Sequence, residues 1–220
     1  MGSNTTDDSF VLENQFLWTS PPDRLAKWIG HWEIWKQVTE VPGDIVEVGV
    51  HKGASLIRWL TFREISGGSL SRSIVGFDMF GPFPPSDKAE DSSFVDGFVA
   101  EAGQALSRDE LLEILQNKGL GKRLHLVEGD ALETIPNWTA TNPDKRIALL
   151  HVDVDTYEPT KVALAEMAHL VSPGGIVLLD DYGKFPGETL AWEEFTETVE
   201  GWKLRKSPFH AYMTLAQRIT

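Results

Sequence analysis

Between Asp23 and Glu40 the apolar residues Leu25, Trp28, Ile29, Trp32, Trp35 and Val38 recur at helical spacing, which predicts a helix with one buried face. That face would pack on the core or on a second copy of the chain. Pro42-Gly43 ends the periodicity. Asp44-Ile45-Val46-Glu47-Val48 follows as a short, mostly apolar run, the profile of a strand buried on both faces. Gly53 to Ile65 returns to a helical pattern, and Ser73 to Asp78 is a second strand-like run.

The alternation continues. Ser107 and Glu110 form a capping box that opens a helix running to Lys118, and Arg123 to Glu128 is a third strand. Ile147 to Val152 is a fourth. Glu158-Pro159 starts a helix that extends to about Val171, since proline is tolerated in a first turn. Ser172-Pro173-Gly174-Gly175 should stop that helix and lead into a fifth strand, Ile176 to Leu179. Gly201 to Lys206 and Tyr212 to Arg218 read as a closing antiparallel hairpin. Strands alternating with helices predict an α/β fold with a doubly wound, mostly parallel sheet. The expected organisation is one domain over residues 1–220, with 1–42 a helical extension and 80–105 an insertion. That insertion is too rich in Pro, Asp, Ser and Gly for a core element. It is expected to be a lid whose Phe83, Phe94 and Phe98 cover a substrate.

Composition narrows the chemistry. The 220 residues contain no cysteine, which excludes disulfides, thiolate nucleophiles and cysteine-held metal centres. A net charge of −13, from 20 basic and 33 acidic side chains, opposes binding to nucleic acid. The one short basic run, Lys203-Leu204-Arg205-Lys206, fits the solvated rim of a strand. No apolar run is long enough to span a membrane and the first residues lack a leader pattern, so a soluble, cytoplasmic protein is expected. The expected partner is a small molecule or a cation.

In open parallel sheets ligands bind beyond the carboxyl ends of the strands, and here nearly every strand ends in a carboxylate. The first runs Glu47-Val48-Gly49-Val50-His51-Lys52-Gly53, where Gly49 allows a tight turn beside a ligand and Gly53 lets the next helix approach. The second ends in Asp78, 25 residues beyond Gly53, where nucleoside-binding folds place an acid for ribose hydroxyls. Glu47 stands where a dinucleotide fingerprint has its first glycine. A negative charge there repels pyrophosphate and suits the sulfonium and ammonium groups of S-adenosylmethionine. After the third strand, Glu128-Gly129-Asp130-Ala131 offers a carboxylate for an adenine amino group, or a helix cap by Asp130.

The fourth and fifth strands end in His151-Val152-Asp153-Val154-Asp155 and Leu179-Asp180-Asp181-Tyr182. As neighbours they would bring Asp153, Asp180 and Asp181 to one rim. Three such carboxylates repel one another unless a cation lies among them, and hard oxygen ligands select Mg²⁺ or another divalent ion. Asp155 lies further into the loop and is expected to cap the following helix. His51 and His151 flank the site.

These segments resemble the macrocin O-methyltransferases, which methylate sugar hydroxyls of natural products. The resemblance is carried by Ile45 to Ser55, Gly76 to Pro84, Val127 to Leu132, Val152 to Thr160 and Gly174 to Gly183, together about residues 44–185. It implies a Rossmann-like class I methyltransferase fold and a donor site including Glu47, Gly49, Ser55, Asp78 and Asp130. Val48, Gly53 and Ala131 complete the candidate donor-binding set. It also implies divalent-metal ligation by Asp153, Asp180 and Asp181. An acceptor with a vicinal diol follows from cation-assisted activation of a hydroxyl, with Asp153 or His151 as the base. The N-terminal region is shorter than the family's, and the 82–105 segment matches it poorly. The pattern also resembles the cephalosporin-hydroxylase group, which shares a metal-binding, methyltransferase-like fold. Competing alternatives are a nicotinamide dehydrogenase, disfavoured by Glu47, and a non-catalytic scaffold using the tryptophan-rich helix as its interface, through which a homo-oligomer is also expected.

Overall fold

The computed structural model describes residues 8–82, 97, 99, 100 and 102–220. Phe83, Phe94 and Phe98, the aromatic residues expected to form a lid, lie outside the described residues. Helix α1 (Ser9–Thr19) and helix α2 (Pro22–Val38) precede the sheet. The chain then alternates through β1 (Asp44–Val48), α3 (Ala54–Ser66), β2 (Ile74–Asp78), α4 (Arg108–Asn117), β3 (Leu124–Glu128), α5 (Ala131–Thr141), β4 (Ile147–Val152) and α6 (Tyr157–Met167). It closes with β5 (Val171–Leu179), α7 (Pro186–Thr198), β6 (Trp202–Lys206) and β7 (Thr214–Arg218).

The seven strands lie in the order β3-β2-β1-β4-β5-β7-β6. The first five pair in parallel, and β7 joins antiparallel to both β5 and β6. The doubly wound, mostly parallel sheet with a terminal hairpin is therefore as the pattern predicts. Successive strand residues face opposite layers. Ile45, Ile74 and Leu149 pack with α2, α3 and α4 on one side. Val46, Val75 and Leu150 pack with α5, α6 and α7 on the other. Sequence order reverses between β1 and β4, where a doubly wound sheet opens its ligand crevice. Register puts Val48 beside both Phe77 and Val152, and Val152 beside Leu179, so the loops after β1, β2, β4 and β5 leave the sheet together.

Four details depart from the pattern. The buried face of α2 carries His31, Ile34, Trp35 and Val38, while Trp28 and Ile29 are exposed. Its apolar residues spread too far around the axis for spacing alone to select the inward face. Ser172 to Gly175 does not precede β5 but bulges within it: Ile147 and Leu149 pair with Val171 and Ile176, leaving the Ser-Pro-Gly-Gly segment to loop out. Helices α5 and α7 are additional elements; Pro136 inside α5 interrupts the pattern that would reveal it. Helix α1 buries no residue and leaves Phe10, Leu12 and Trp18 exposed. Among the described residues no helix is long and apolar enough to cross a membrane.

Candidate active site

The β1 loop is built around glycine. Gly49 has φ +93°, and a Cβ there would lie 1.9 Å from the Asp153 carbonyl oxygen, so the loops after β1 and β4 touch through bare backbone. Ladder bonds run past the strand ends: Gly49 N–H donates to Phe77 O (2.9 Å), Asp153 N–H to Val48 O (2.9 Å) and Asp180 N–H to Val152 O (3.2 Å). These bonds fix where the functional side chains start. Gly53, also at positive φ, starts α3 where a Cβ would collide with Leu111 Cδ1 at 2.6 Å.

Asp78 organises this loop. One carboxylate oxygen accepts from Val50 N–H and His51 N–H, and the other from Phe80 N–H, all at 2.8 Å. His51 holds φ +52° and places Nε2 2.9 Å from the Gly103 carbonyl. Glu47 is fully buried; Oε1 accepts from the Ser55 hydroxyl at 2.5 Å, while Oε2 has no hydrogen-bond partner and lies 3.8 Å from His151 Nδ1. Asp130 caps α5, accepting from Leu132 N–H at 2.9 Å, with Ala131 the first residue of that helix. The cap does not exhaust a carboxylate's acceptor capacity.

Across the crevice the carboxylates divide into two groups. Asp153, Asp155 and Asp181 each bring an oxygen within 4.8 Å of the others. Asp180 turns instead toward His31 and His151, its Oδ1 lying 3.9 Å and 3.7 Å from their Nε2 atoms, and Lys27 ion-pairs with its Oδ2. Asp155 is not a helix cap: Thr156 holds that position, and Asp155 Oδ1 is buried without a partner at a residue with φ +60°. Asp181 receives Lys184 Nζ at 3.1 Å, and its own N–H donates to Glu188 Oε1 at 3.1 Å.

The electrostatics follow from that division. Burial and then the Asp180 charge raise Asp153 to about 7. Burial, then Asp153 and Asp181, raise Asp155 to about 8. Glu188 is pushed well above the usual carboxylate range by burial and by Asp153 and Asp180. Burial would raise Asp180 too, but contacts from His151 and His31 and the charge of Lys27 hold it well below its ordinary value. The histidines split in the same field. Burial lowers His31 to about 3, while for His151 the opposing effect of burial is outweighed by Asp180, Glu47 and Asp153, which raise it to about 10. Trp59 Nε1, 3.3 Å from His151 Nδ1, would donate to a neutral ring; the surrounding carboxylates favour the charged one, whose Nδ1 proton faces Glu47.

Of the residues singled out in the sequence, Glu47, Gly49, Gly53, Ser55 and Asp78 meet at the β1–β2 rim. Asp153 and Asp181 meet at the β4–β5 rim, and Asp180 stands beside them in a different pairing. Asp180, Glu47 and Asp153 raise His151, which favours its charged form and disfavours it as the base. Lys27 and His31 escape the sequence pattern. Their four-residue spacing sets two polar side chains in the inward stripe of α2, a signal that becomes readable only once that face is known.

A family model described as macrocin O-methyltransferase (TylF) matches residues 33–201. Over 148 residues the chain is 32% identical to 8-demethyl-8-(2,3-dimethoxy-alpha-L-rhamnosyl)-tetracenomycin-C 4'-O-methyltransferase of Streptomyces olivaceus, covering 64% of this chain and 54% of that protein. It spans about half the length of the curated relatives it matches. The calicheamicin methyltransferase CalS11 superposes with a TM-score of 0.77 at 30% identity, covering 97% of this chain and 87% of that one. An apo structure of CalS11, described as a TDP-rhamnose 3'-O-methyltransferase, superposes with a TM-score of 0.71 at 27% identity, covering 98% and 87%. The O-methyltransferase NovP, at 24% identity and a TM-score of 0.73 over 89% and 80% of the two chains, shares the fold.

Proposed function

This chain belongs to the macrocin O-methyltransferase family, and we propose that it transfers the methyl group of S-adenosylmethionine to a hydroxyl of a small acceptor, a sugar or glycosylated natural product. The observation that carries this reading is the contact of Gly49 with the Asp153 backbone, which sets a buried, half-free Glu47 against a crowded carboxylate rim. One relative is named as the methyltransferase of a rhamnosyl-tetracenomycin and CalS11 as a TDP-rhamnose methyltransferase, which supports the substrate class.

The residues present suit the donor. Glu47 keeps one buried oxygen without a hydrogen-bond partner, a match for a cationic group, and a side chain at Gly49 would fill the turn beside it. Asp78 is fixed by three backbone N–H groups and retains lone pairs for ribose hydroxyls. The opposite rim suits a hard divalent cation such as Mg²⁺. Asp153 and Asp181 would hold it, with a third oxygen from Asp155, which lies beside them, or from Asp180, as strand order suggests. Such a cation would supply Lewis acidity that makes an acceptor hydroxyl more acidic.

The chain's own groups do the rest. Asp153, whose side chain is 28% exposed at the crevice, would accept the proton leaving the acceptor hydroxyl. Lys27 and His151 balance the charge of Asp180 and keep that carboxylate ionised, and His151 Nδ1 lies 3.8 Å from Glu47. An acceptor with a vicinal diol is favoured because two adjacent oxygens match a hard cation's ligand preference.

The test is incubation with labelled S-adenosylmethionine, Mg²⁺ and a panel of glycosides, nucleotide sugars and catechols. The expected product is heavier by one methyl group, with turnover lost in EDTA while S-adenosylhomocysteine still binds. Full turnover in EDTA removes the cation from the mechanism, and failure of S-adenosylhomocysteine to bind ends the donor assignment. Asp155→Ala and Asp180→Ala, compared for Mg²⁺ affinity, decide between the two third ligands.

A further inference from the structure

Arg58 stands on α3 one turn beyond Ser55 and is only 7% exposed. Its guanidinium carbon lies 5.2 Å from the centre of the Trp28 ring. Among the described residues none accepts a hydrogen bond from it, and its Nε is wholly enclosed without a partner. The charges acting on it are those of the site: Asp180, Glu47 and Asp153 attract it, and Arg24 repels it. Burial outweighs those attractions and lowers its pKa from the ordinary arginine value.

Arg63, five residues further along the same helix and also buried, behaves differently. Its two Nη groups donate to the carbonyls of Arg72, Arg123 and Leu120 at 3.3–3.5 Å. Both Nε atoms are enclosed without a partner, but the Nη groups of Arg63 have backbone acceptors, whereas among the described residues those of Arg58, beside the donor loop, have none. Enclosing charged donors without acceptors is costly, and the planar fork of an arginine matches the two oxygens of a carboxylate or phosphate.

We propose that Arg58 is an oxyanion receptor of the methyl-transfer crevice, pairing with a carboxylate or phosphate group of a bound substrate. The proposal rests on the donor and acceptor assignment above. Two substrates could bring that chemistry. One is the donor, whose α-carboxylate is bonded to the carbon bearing the α-ammonium group that Glu47 suits. The other is an acceptor carrying a diphosphate, as a nucleotide sugar does.

The experiment measures binding of S-adenosylhomocysteine, its decarboxylated analogue and inorganic diphosphate to the full chain and to Arg58→Gln, by calorimetry. If the donor is the source, Arg58→Gln weakens S-adenosylhomocysteine by about ten- to a hundredfold and leaves the decarboxylated analogue unchanged. If the acceptor is the source, S-adenosylhomocysteine is unaffected and the diphosphate bound by the parent chain is lost. Unchanged binding of all three overturns the proposal, and so do equal losses for S-adenosylhomocysteine and its analogue, which mark a packing role. Arg58→Lys keeps charge and stem but not the fork. It should show a partial loss in the same arm, and it serves if the glutamine variant does not fold. Failure of the parent chain to bind S-adenosylhomocysteine would sink the donor assignment while leaving the diphosphate arm to judge Arg58.

Discussion

The two rims of the crevice sit at equivalent places in one sheet, yet they are built on opposite principles. At the β1–β2 rim the carboxylates are engaged: Asp78 accepts three backbone N–H bonds and Glu47 holds Ser55. At the β4–β5 rim Asp153, Asp155 and Asp181 face one another, and the first two are raised to about 7 and 8. Both strand pairs are parallel, so the contrast comes from the loops: the β1 loop turns its backbone N–H groups onto Asp78, whereas the β4 and β5 loops bring carboxylates together. A preformed half can recognise a donor without rearrangement, whereas a half under mutual repulsion stores a preference for a cation. Asp180 marks the boundary, because Lys27, His31 and His151 converge on it and hold it well below its ordinary value, while Asp153 and Asp155 are raised despite the cations near them.

The most damaging way to break this arrangement is at the hinge between the rims. Gly49→Ala combines a positive φ with a Cβ 1.9 Å from the Asp153 carbonyl oxygen, and backbone cannot rotate away as a side chain can. We expect a loss of about 4 kcal/mol or more in denaturant unfolding. A loss under about 1 kcal/mol would mean that the two loops are not in contact.

A smaller effect sharpens the contrast directly. Saturating Mg²⁺, at about a hundredfold over its dissociation constant, should stabilise the chain by about 2.7 kcal/mol, or roughly 5–10 °C in melting temperature. Asp181→Asn should abolish that shift while leaving S-adenosylhomocysteine binding intact. The pH dependence has a defined sign. Asp153, Asp155 and His151 all have folded values raised above their unfolded ones, so the folded chain holds extra protons and loses stability as pH rises. His31, lowered to about 3, contributes a change only below its unfolded value near 6.5. Between pH 7 and 8 the opposing contribution of His31 is nearly complete and the raised groups dominate, and stability in EDTA should fall by about 1 kcal/mol after allowing for solvent screening. Mg²⁺ should flatten that slope. A stability in EDTA that rises over this range would show that the carboxylate rim is not under repulsion.

Sequence legibility differs between the same two rims. The strands were readable because buried parallel strands are continuous apolar runs, and both rims were readable as acids at their ends. Glu47, Gly49 and Asp78 are held by local loop contacts, so their placement followed from spacing. The partners of Asp180 were not readable, since Lys27 lies 153 positions away and reaches it only because α2 turns a particular face inward. That face was obscured by apolar residues on several sides of the helix. Asp155 fits a helix cap by residue type, and only its φ of +60° and enclosed oxygen place it with Asp153 and Asp181. Asp130 offers a cap for α5 but Pro136 interrupts the pattern that would give its length, and the bulge in β5 reads in one dimension as a terminator.

The smallest expected effect tests whether the preformed rim owes its order to scaffold outside the crevice. Ser107 and Glu110 form a reciprocal capping box at the start of α4, with Glu110 accepting from Ser107 N–H at 2.9 Å. The next residue, Leu111, is the side chain against which Gly53 fits. Ser107→Ala removes one side-chain acceptor at a helix start and should cost about 1 kcal/mol of stability. Because Leu111 is fully buried and fixed by its own packing, the Gly53 turn should keep its shape. The dissociation constant for S-adenosylhomocysteine should therefore stay within about twofold of the parent value, a change under about 0.5 kcal/mol. A tenfold loss of donor affinity would show that the order of the β1 rim is borrowed from α4 and not set by Asp78, which would erase the distinction between a rim that is self-held and one that waits for a cation.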